Sequence, residues 1–276
     1  MKIRQPLKTH GGKYYLAKHI HRLAAKTDYK HRVITHGGGL GEFWNWHHKG
    51  ISEVVNDTDL PLTNFWRVLQ SPRQFSKFER GAQATPFGQE FWQQASCCVY
   101  PALITDPEGD WHAALNLFIN VRQSRQGLGK DFATLSRNRL RRGMSEQVSA
   151  WLSAIEGLPE VHARLKRVVI LNDDALKVIK QQDGKQTLFY LDPTYLPETR
   201  AAKKVYRHEM TKKDHIKLLK LLATIKGKFL LSGYPSALYK KYQRQHGWNL
   251  TKIKIDNKAS SKKTKDVKTE CIWRNY

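Results

Sequence analysis

Three aspartates follow short apolar runs: Asp57 in VVNDTD, Asp174 in VILNDDALKVI and Asp192 in FYLDPTY. An ionised carboxylate only accepts hydrogen bonds, so one delivered by the end of a strand suits the hydroxyls of a ribose or the amino group of a purine. For a ligand carrying both, Asp57 is placed for the ribose and Asp174 for the adenine amine. The glycine cluster GGGLG at residues 37–41 would let backbone approach that ligand where side chains could not. It does not spell GxGxxG, and no GK[ST] follows it, which argues against a dinucleotide or a nucleoside triphosphate. Asp192 is followed by Pro193 and, two residues further, by Tyr195. Taken alone, that turn could be no more than the end of a strand.

The elements that position these groups can be read from hydropathy. RVIT leads into the glycine cluster, and ISEVVN ends at Asn56 and Asp57 before a helix from about Pro61 to Leu69. KRVVIL predicts a strand, Asn172 to Asp174 an acidic turn, and ALKVIKQ a helix; QTLFYL is the next strand. Thr211 suits a helix N-cap, apolar positions recur at helical spacing through Leu222, Gly227 stops the helix, and KFLLS makes a further strand. Strands alternating with helices predict an α/β, doubly wound sheet, which binds ligands at the carboxyl ends of its strands. Asp57, Asp174 and Asp192 should therefore reach one edge, next to the loop at residues 37–41.

A chain of 276 residues can bury one large core, or one core and a smaller module. Forty-eight Lys and Arg against twenty-four Asp and Glu leave a formal charge of +24, which attracts polyanions. The rhythm of strand and helix breaks between residues 72 and 165, where a basic, mostly helical insert is expected inside a domain built from residues 1–71 and 166–276. Arg122, Arg125, Lys130, Arg137, Arg139, Arg141 and Arg142 are concentrated there against Asp131 alone. Guanidinium forks suit phosphates and guanine edges, although a solvated helix face has the same composition. The segment KASSKKTKDVKTE is lysine-rich and predicts a mobile loop or arm. No apolar run has bilayer-spanning length and the opening residues lack an apolar signal core, so a cytoplasmic protein is expected. Cys97, Cys98 and Cys271 do not form a disulfide or zinc pattern. The histidines at 10, 19, 21, 31, 36, 47 and 48 lack a ligand register, and Trp44, Trp46 and Trp66 are expected in the core.

In order, PLKTHGGK, GGGLG with VVNDTD, a basic insert, NDDALKVI and FYLDPTY resemble the Dam-type DNA adenine methyltransferases. The likeness covers the catalytic core and reaches the insert only by position and charge. It implies a Rossmann-like S-adenosylmethionine-dependent methyltransferase sheet with an inserted recognition domain, acting on double-stranded DNA without an obligate protein partner or a metal. It places Thr9, Gly11, Gly12 and Lys13 near the methionine end of the cofactor, with Gly38, Gly39 and Gly41 as the glycine loop. Asp57 would bind the ribose, Asp174 the adenine amine, and Asp192 would stand between cofactor and target. The Asp192 carboxylate and the Pro193 carbonyl would accept the two hydrogens of an adenine amine, and Tyr195 would stack on the flipped base. DNA binding would bring nucleoid association.

Three departures accompany the likeness. Ile34, Thr35 and His36 stand where relatives carry an acid, a proline and a phenylalanine; Thr9 and His10 replace an aromatic; and Thr194 replaces the second proline of DPPY, a change expected to matter least. They leave two alternatives open: a catalytically weakened relative that mainly binds DNA, and methylation of the exocyclic amine of cytosine, or of RNA.

Overall fold

The structure is a computed structural model that describes residues 3–8, 11–100, 104–133, 138–200, 207–256 and 267–276. Its main sheet has seven strands: β1 (His31–Ile34), β2 (Ser52–Asn56), β3 (Val169–Leu171), β4 (Thr187–Leu191), β5 (Lys228–Gly233), β6 (Asn249–Asp256) and β7 (Val267–Arg274). They lie in the order β3-β2-β1-β4-β5-β7-β6. The first five follow the doubly wound order, which changes direction between β1 and β4. β1 is parallel to β2 and β4, and β4 to β5; β7 runs antiparallel to both β5 and β6. This is the expected Rossmann-like α/β sheet.

Contacts divide the chain into two compact units, residues 1–21, 38–47 and 59–172, and residues 22–37, 48–58 and 173–276. The expected boundaries at 71/72 and 165/166 both fall inside the first. Apart from α1 (Ala17–Ala24), which the division crosses, its helices include α2 (Leu60–Gln70), α3 (Pro72–Ala84), α4 (Gln89–Ser96), α5 (Trp111–Arg122), α6 (Glu146–Glu156) and α7 (Leu158–Leu165). Phe65, Phe78 and Phe118 from α2, α3 and α5 meet with centroids 5.5 to 6.0 Å apart, within the range of favourable aromatic pairs. Trp44, Trp46 and Trp66 are buried, as expected of core residues. Asp110 caps α5 by accepting from the His112 and Ala113 amides, and Asn64 of α2 bonds the Asp110 backbone in both directions. A two-stranded ribbon, Leu140–Arg141 with Met144–Ser145, turns through Arg142 and Gly143, both with positive φ.

The second unit holds most of the sheet. β4 is buried at every position, and β5 at all but its first, because a strand covered on both faces needs an unbroken apolar run. One exception is polar: Arg32 of β1 and Glu53 of β2, neighbours in register, form an ion pair with both side chains 1% exposed. α8 (Ala175–Gln182), α9 (Lys212–Leu222) and α10 (Ala237–His246) also belong here. α9 begins with a capping box in which the Thr211 hydroxyl accepts the Asp214 amide while the Asp214 carboxylate accepts the Thr211 amide.

The sequence expectation for the lysine-rich segment is corrected in part. Its last four residues, 267–270, begin β7, paired with β6, while residues 257–266 lie outside those described. Lysine content suggested a solvated arm, but the strand is specified just beyond it, where Cys271, Ile272 and Trp273 are fully or almost fully buried. No helix among the described residues is long and apolar enough to cross a membrane.

Candidate active site

A cleft of about 210 Å³ opens in the second unit. Its lining includes Thr35 and His36 after β1, Asp57 after β2, Asp174 at the start of α8, and Thr194 after β4. His208, Glu209, Met210, Asp214 and Lys217 line it as well, with apolar groups from Ala175, Leu176 and Leu218. Sequence reasoning brings Asp57 and Asp174 to one place, and the structure does so. Asp192 is not among the lining residues; Thr194, two positions on, is.

Asn56, the fully buried last residue of β2, fixes this edge. Its Nδ2 donates to the Thr35 and Asp173 carbonyls at 3.1 and 3.0 Å, and its Oδ1 accepts the Asp173 amide at 3.0 Å. The Gly37 amide reaches back to the Asn56 carbonyl at 2.8 Å. One amide side chain thus joins the turn after β1 to the acidic turn before α8, a role that the sequence did not reveal. Within that acidic turn, Asp174 uses Oδ1 to cap α8 through the Lys177 amide at 3.0 Å. Asp173 pairs with Lys177 at 2.6 Å, and that bond, with the Asp174 amide, holds its carboxyl below the usual carboxylate range.

His36 contacts the Thr35 hydroxyl through Nδ1 at 2.8 Å. Burial, reinforced by His215 and opposed by Asp174, lowers its pKa to about 4, so the imidazole facing the cleft is neutral at pH 7. A neutral hydrogen-bonding ring therefore follows β1 at the cleft.

The turn that follows β4 is braced from beneath. The Tyr195 hydroxyl donates to Glu270 Oε2 of β7 at 2.7 Å, and its ring stands edge-on to Tyr234 at 4.7 Å. Burial, then the charges of Asp192 and Glu270, push the Tyr195 phenol far up, which keeps it protonated. His215 on α9 is fully buried and bonds the Tyr239 hydroxyl of α10 through Nδ1 at 2.9 Å. Pro193 is buried and Asp192 half-buried. Glu270 and Tyr239 escaped the sequence reading because neither lies near a recognisable motif.

In the first unit, the GGK element and the glycine loop meet. A Cβ on Gly41 would lie 2.7 Å from the Tyr14 amide nitrogen and 3.0 Å from that of Lys13, so glycine is required for this approach. Lys13 is buried and donates from Nζ to the Gly11 carbonyl at 2.7 Å; Gly12 is half-buried. Gly38 and Gly39 accept at their carbonyls from Trp66 Nε1 and Gln5 Nε2. Thr9 lies outside the described residues, as does Arg137.

Among the basic residues, Arg125, Lys130, Arg139, Arg141 and Arg142 are exposed. Arg142 forks onto Glu156 at 3.0 and 2.8 Å and holds the ribbon turn to α6, while Arg139 lies 3.5 Å from Glu146. Arg122 donates to the Ala150 carbonyl at 2.7 Å, and burial lowers its pKa to about 10. No group of histidines, cysteines and acids suited to a metal occurs among the described residues.

A doubly wound sheet with a cleft at the carboxyl ends of its strands defines a Rossmann-like α/β architecture, in which ligands bind at that edge. Residues 143–263 match the family described as D12 class N6 adenine-specific DNA methyltransferase. The matched span is less than half of the chain, yet it contains Asp174, the 192–195 turn and the 208–217 wall of the cleft. It supports that family broadly and methyl transfer as the chemistry. No curated protein matches the chain. Among solved structures, PH1948 from Pyrococcus horikoshii, provisionally described as an RNA methyltransferase, is similar at 11% identity, covering 98% of this chain and 88% of that one with a TM-score of 0.39. A likeness at that score carries no argument about activity.

Proposed function

We propose that this protein transfers a methyl group from S-adenosylmethionine to the exocyclic amino group of adenine in DNA. One observation carries the reading: Asp57 and Asp174 line a single cleft that also includes Thr194 of the DPTY turn. Two carboxylates in one cleft suit an adenosyl ligand, since Asp57 can accept from both ribose hydroxyls and the remaining oxygen of Asp174 from the adenine amine. When bound, the cofactor supplies an electrophilic methyl group on a sulfonium.

The chain's own groups act on the acceptor. An aromatic amine is a poor nucleophile because its lone pair is delocalised into the ring. The Asp192 carboxylate and the Pro193 carbonyl, accepting its two hydrogens, would favour a pyramidal nitrogen with a directed lone pair. Proline's fixed φ holds that carbonyl in place. Since the amine lies inside the duplex, the base must leave the stack, at an unstacking cost of about a few kcal/mol, part of which an aromatic face at Tyr195 would offset. Basic residues 125, 130, 139 and 141 are suited to the phosphate backbone.

The test is to map modified bases in DNA from cells expressing the protein and, in parallel, the Asp192→Ala variant. N6-methyladenine is expected only with the unaltered chain. Methyladenine in both samples, or a modified cytosine instead, would refute the proposal.

A further inference from the structure

Thr194 occupies the place at which the resembling family has its second proline, and it does something that a proline cannot do. Its hydroxyl accepts the backbone amide of Met210 at 2.8 Å, across sixteen residues. Met210 immediately precedes Thr211, the N-cap of α9, so the stretch from 210 to 214 is tied at one end to the DPTY turn and at the other to a capping box. The preceding residue is held as well. Glu209 receives a two-pronged contact from Arg200, at 3.2 and 2.5 Å, and the Arg200 side chain is only 9% exposed.

These tethers converge on one wall of the cleft. His208, Glu209 and Met210 line the cleft together with Asp57 and Asp174, and Thr194 lines it too. A wall made of backbone between two elements would otherwise pay ordering entropy each time a ligand settled against it. A side-chain hydroxyl that meets a main-chain amide at good distance removes that cost in advance, and it satisfies an N–H that would lack a helix partner at this position. The Arg200 contact also engages a carboxylate that would otherwise add to the negative charge of Asp57 and Asp174.

We infer that Thr194 is a positioning residue for the cofactor cleft: through the Met210 amide, and in concert with the Arg200–Glu209 pair, it holds the 208–210 wall in its binding geometry. The inference rests on the reading that the cleft receives S-adenosylmethionine. It changes the meaning of the proline-to-threonine departure, which becomes a local device for fixing the wall.

The experiment is titration calorimetry of the full chain with S-adenosylhomocysteine, the demethylated product, which avoids turnover, together with binding of a short DNA duplex and apo thermal melting. Thr194→Val keeps the shape and removes the acceptor; it should weaken cofactor-analogue binding roughly fivefold or more, the scale of one hydrogen bond, with DNA affinity unchanged within about twofold. Thr194→Ser should bind like the unaltered chain, and Thr194→Pro like the valine variant. Glu209→Gln, which removes the ion pair, should shift affinity in the same direction and provides the test if the valine variant does not fold. Affinity equal to that of the unaltered chain in the valine, proline and glutamine variants, or an equal loss in valine and serine, would overturn the inference while leaving the cleft's ligand intact. Absence of binding by the unaltered chain would instead remove the cofactor reading and this inference with it.

Discussion

The hydroxyl of Tyr195 donates to Glu270 at 2.7 Å in an environment where Tyr195 is 8% and Glu270 1% exposed. This bond joins the turn after β4 to the antiparallel strand β7, so the ring proposed to stack on the target base has its orientation fixed. Glu270→Ala would remove this hydrogen bond from a buried phenol, at a cost of about 1–3 kcal/mol. The expected kinetic signature is a fall in kcat with cofactor affinity preserved, because the brace concerns the turn proposed to meet the base. Single-turnover methylation beside calorimetry checks this; an unchanged kcat would separate Tyr195 from the chemistry.

His36 gives a pH signature. Its pKa in the folded chain is about 4 against an ordinary 6.5, so the unfolded chain binds its proton first as pH falls. The associated stability is present above pH 6.5 and is lost progressively between 6.5 and 4, reaching about 2 kcal/mol by pH 5. Urea unfolding at pH 7.5 and 5 should show a smaller loss in His36→Gln than in the unaltered chain. Parallel losses in the two proteins would contradict the assignment.

Asp174 has two separable tasks. Oδ1 caps α8 through the Lys177 amide, and the other oxygen is proposed to face the cofactor's amine. Asp174→Ala should lose both, with a stability cost of about 1 kcal/mol for the cap. Asp174→Ser should keep the cap yet still weaken cofactor binding, while Asp57→Ala should weaken it tenfold or more through loss of charge-assisted bonds. Cofactor-induced shifts in Tm would distinguish the three; full retention of the shift in Asp57→Ala would argue against the ribose assignment.

How far these features could be read from sequence depends on whether the signal is local. β1 to β5 and the helices α2, α8 and α9 are legible because each carries its own periodicity and punctuation, such as Pro61 for α2 and Thr211 for α9. The meeting of Asp57 and Asp174 follows from two strands of one doubly wound sheet. Glu270 was hidden because composition around it is dominated by lysine, and the strand that buries it is defined by partners more than a dozen residues away. Thr194 was read as a neutral replacement because its partner, Met210, is an amide with no sequence signature. Asn56 was read as a strand terminus, although its three hydrogen bonds make it the joint of the site's edge.

The Arg32–Glu53 pair offers a test of the sheet itself. Both side chains are 1% exposed, and they face each other across the parallel strands β1 and β2. Removing one partner takes the counter-charge from the other in a medium of low polarity, so Glu53→Ala should cost about 3–5 kcal/mol in chemical denaturation. Replacing both with apolar residues, Arg32→Met with Glu53→Leu, should recover most of that loss. If the double variant is no more stable than the single one, the pair contributes specific structure beyond charge balance.

The exposed cations of the first unit differ in what they already hold, and this separates their expected effects on DNA binding. Arg142 is engaged bidentately by Glu156 and turns the ribbon, whereas Arg141 is exposed and Arg139 stands at a looser 3.5 Å from its acid. A cation that neutralises a phosphate on binding contributes about one to the slope of log K against log salt. Arg139→Ala with Arg141→Ala should therefore flatten the slope by about two and weaken binding uniformly across sequences. Arg142→Ala should change the slope little, because its charge is already compensated, and should lower affinity only through a loosened ribbon. Equal flattening by Arg142→Ala alone would mean that DNA displaces Glu156, and an unchanged slope in the double variant would remove the ribbon from the interface.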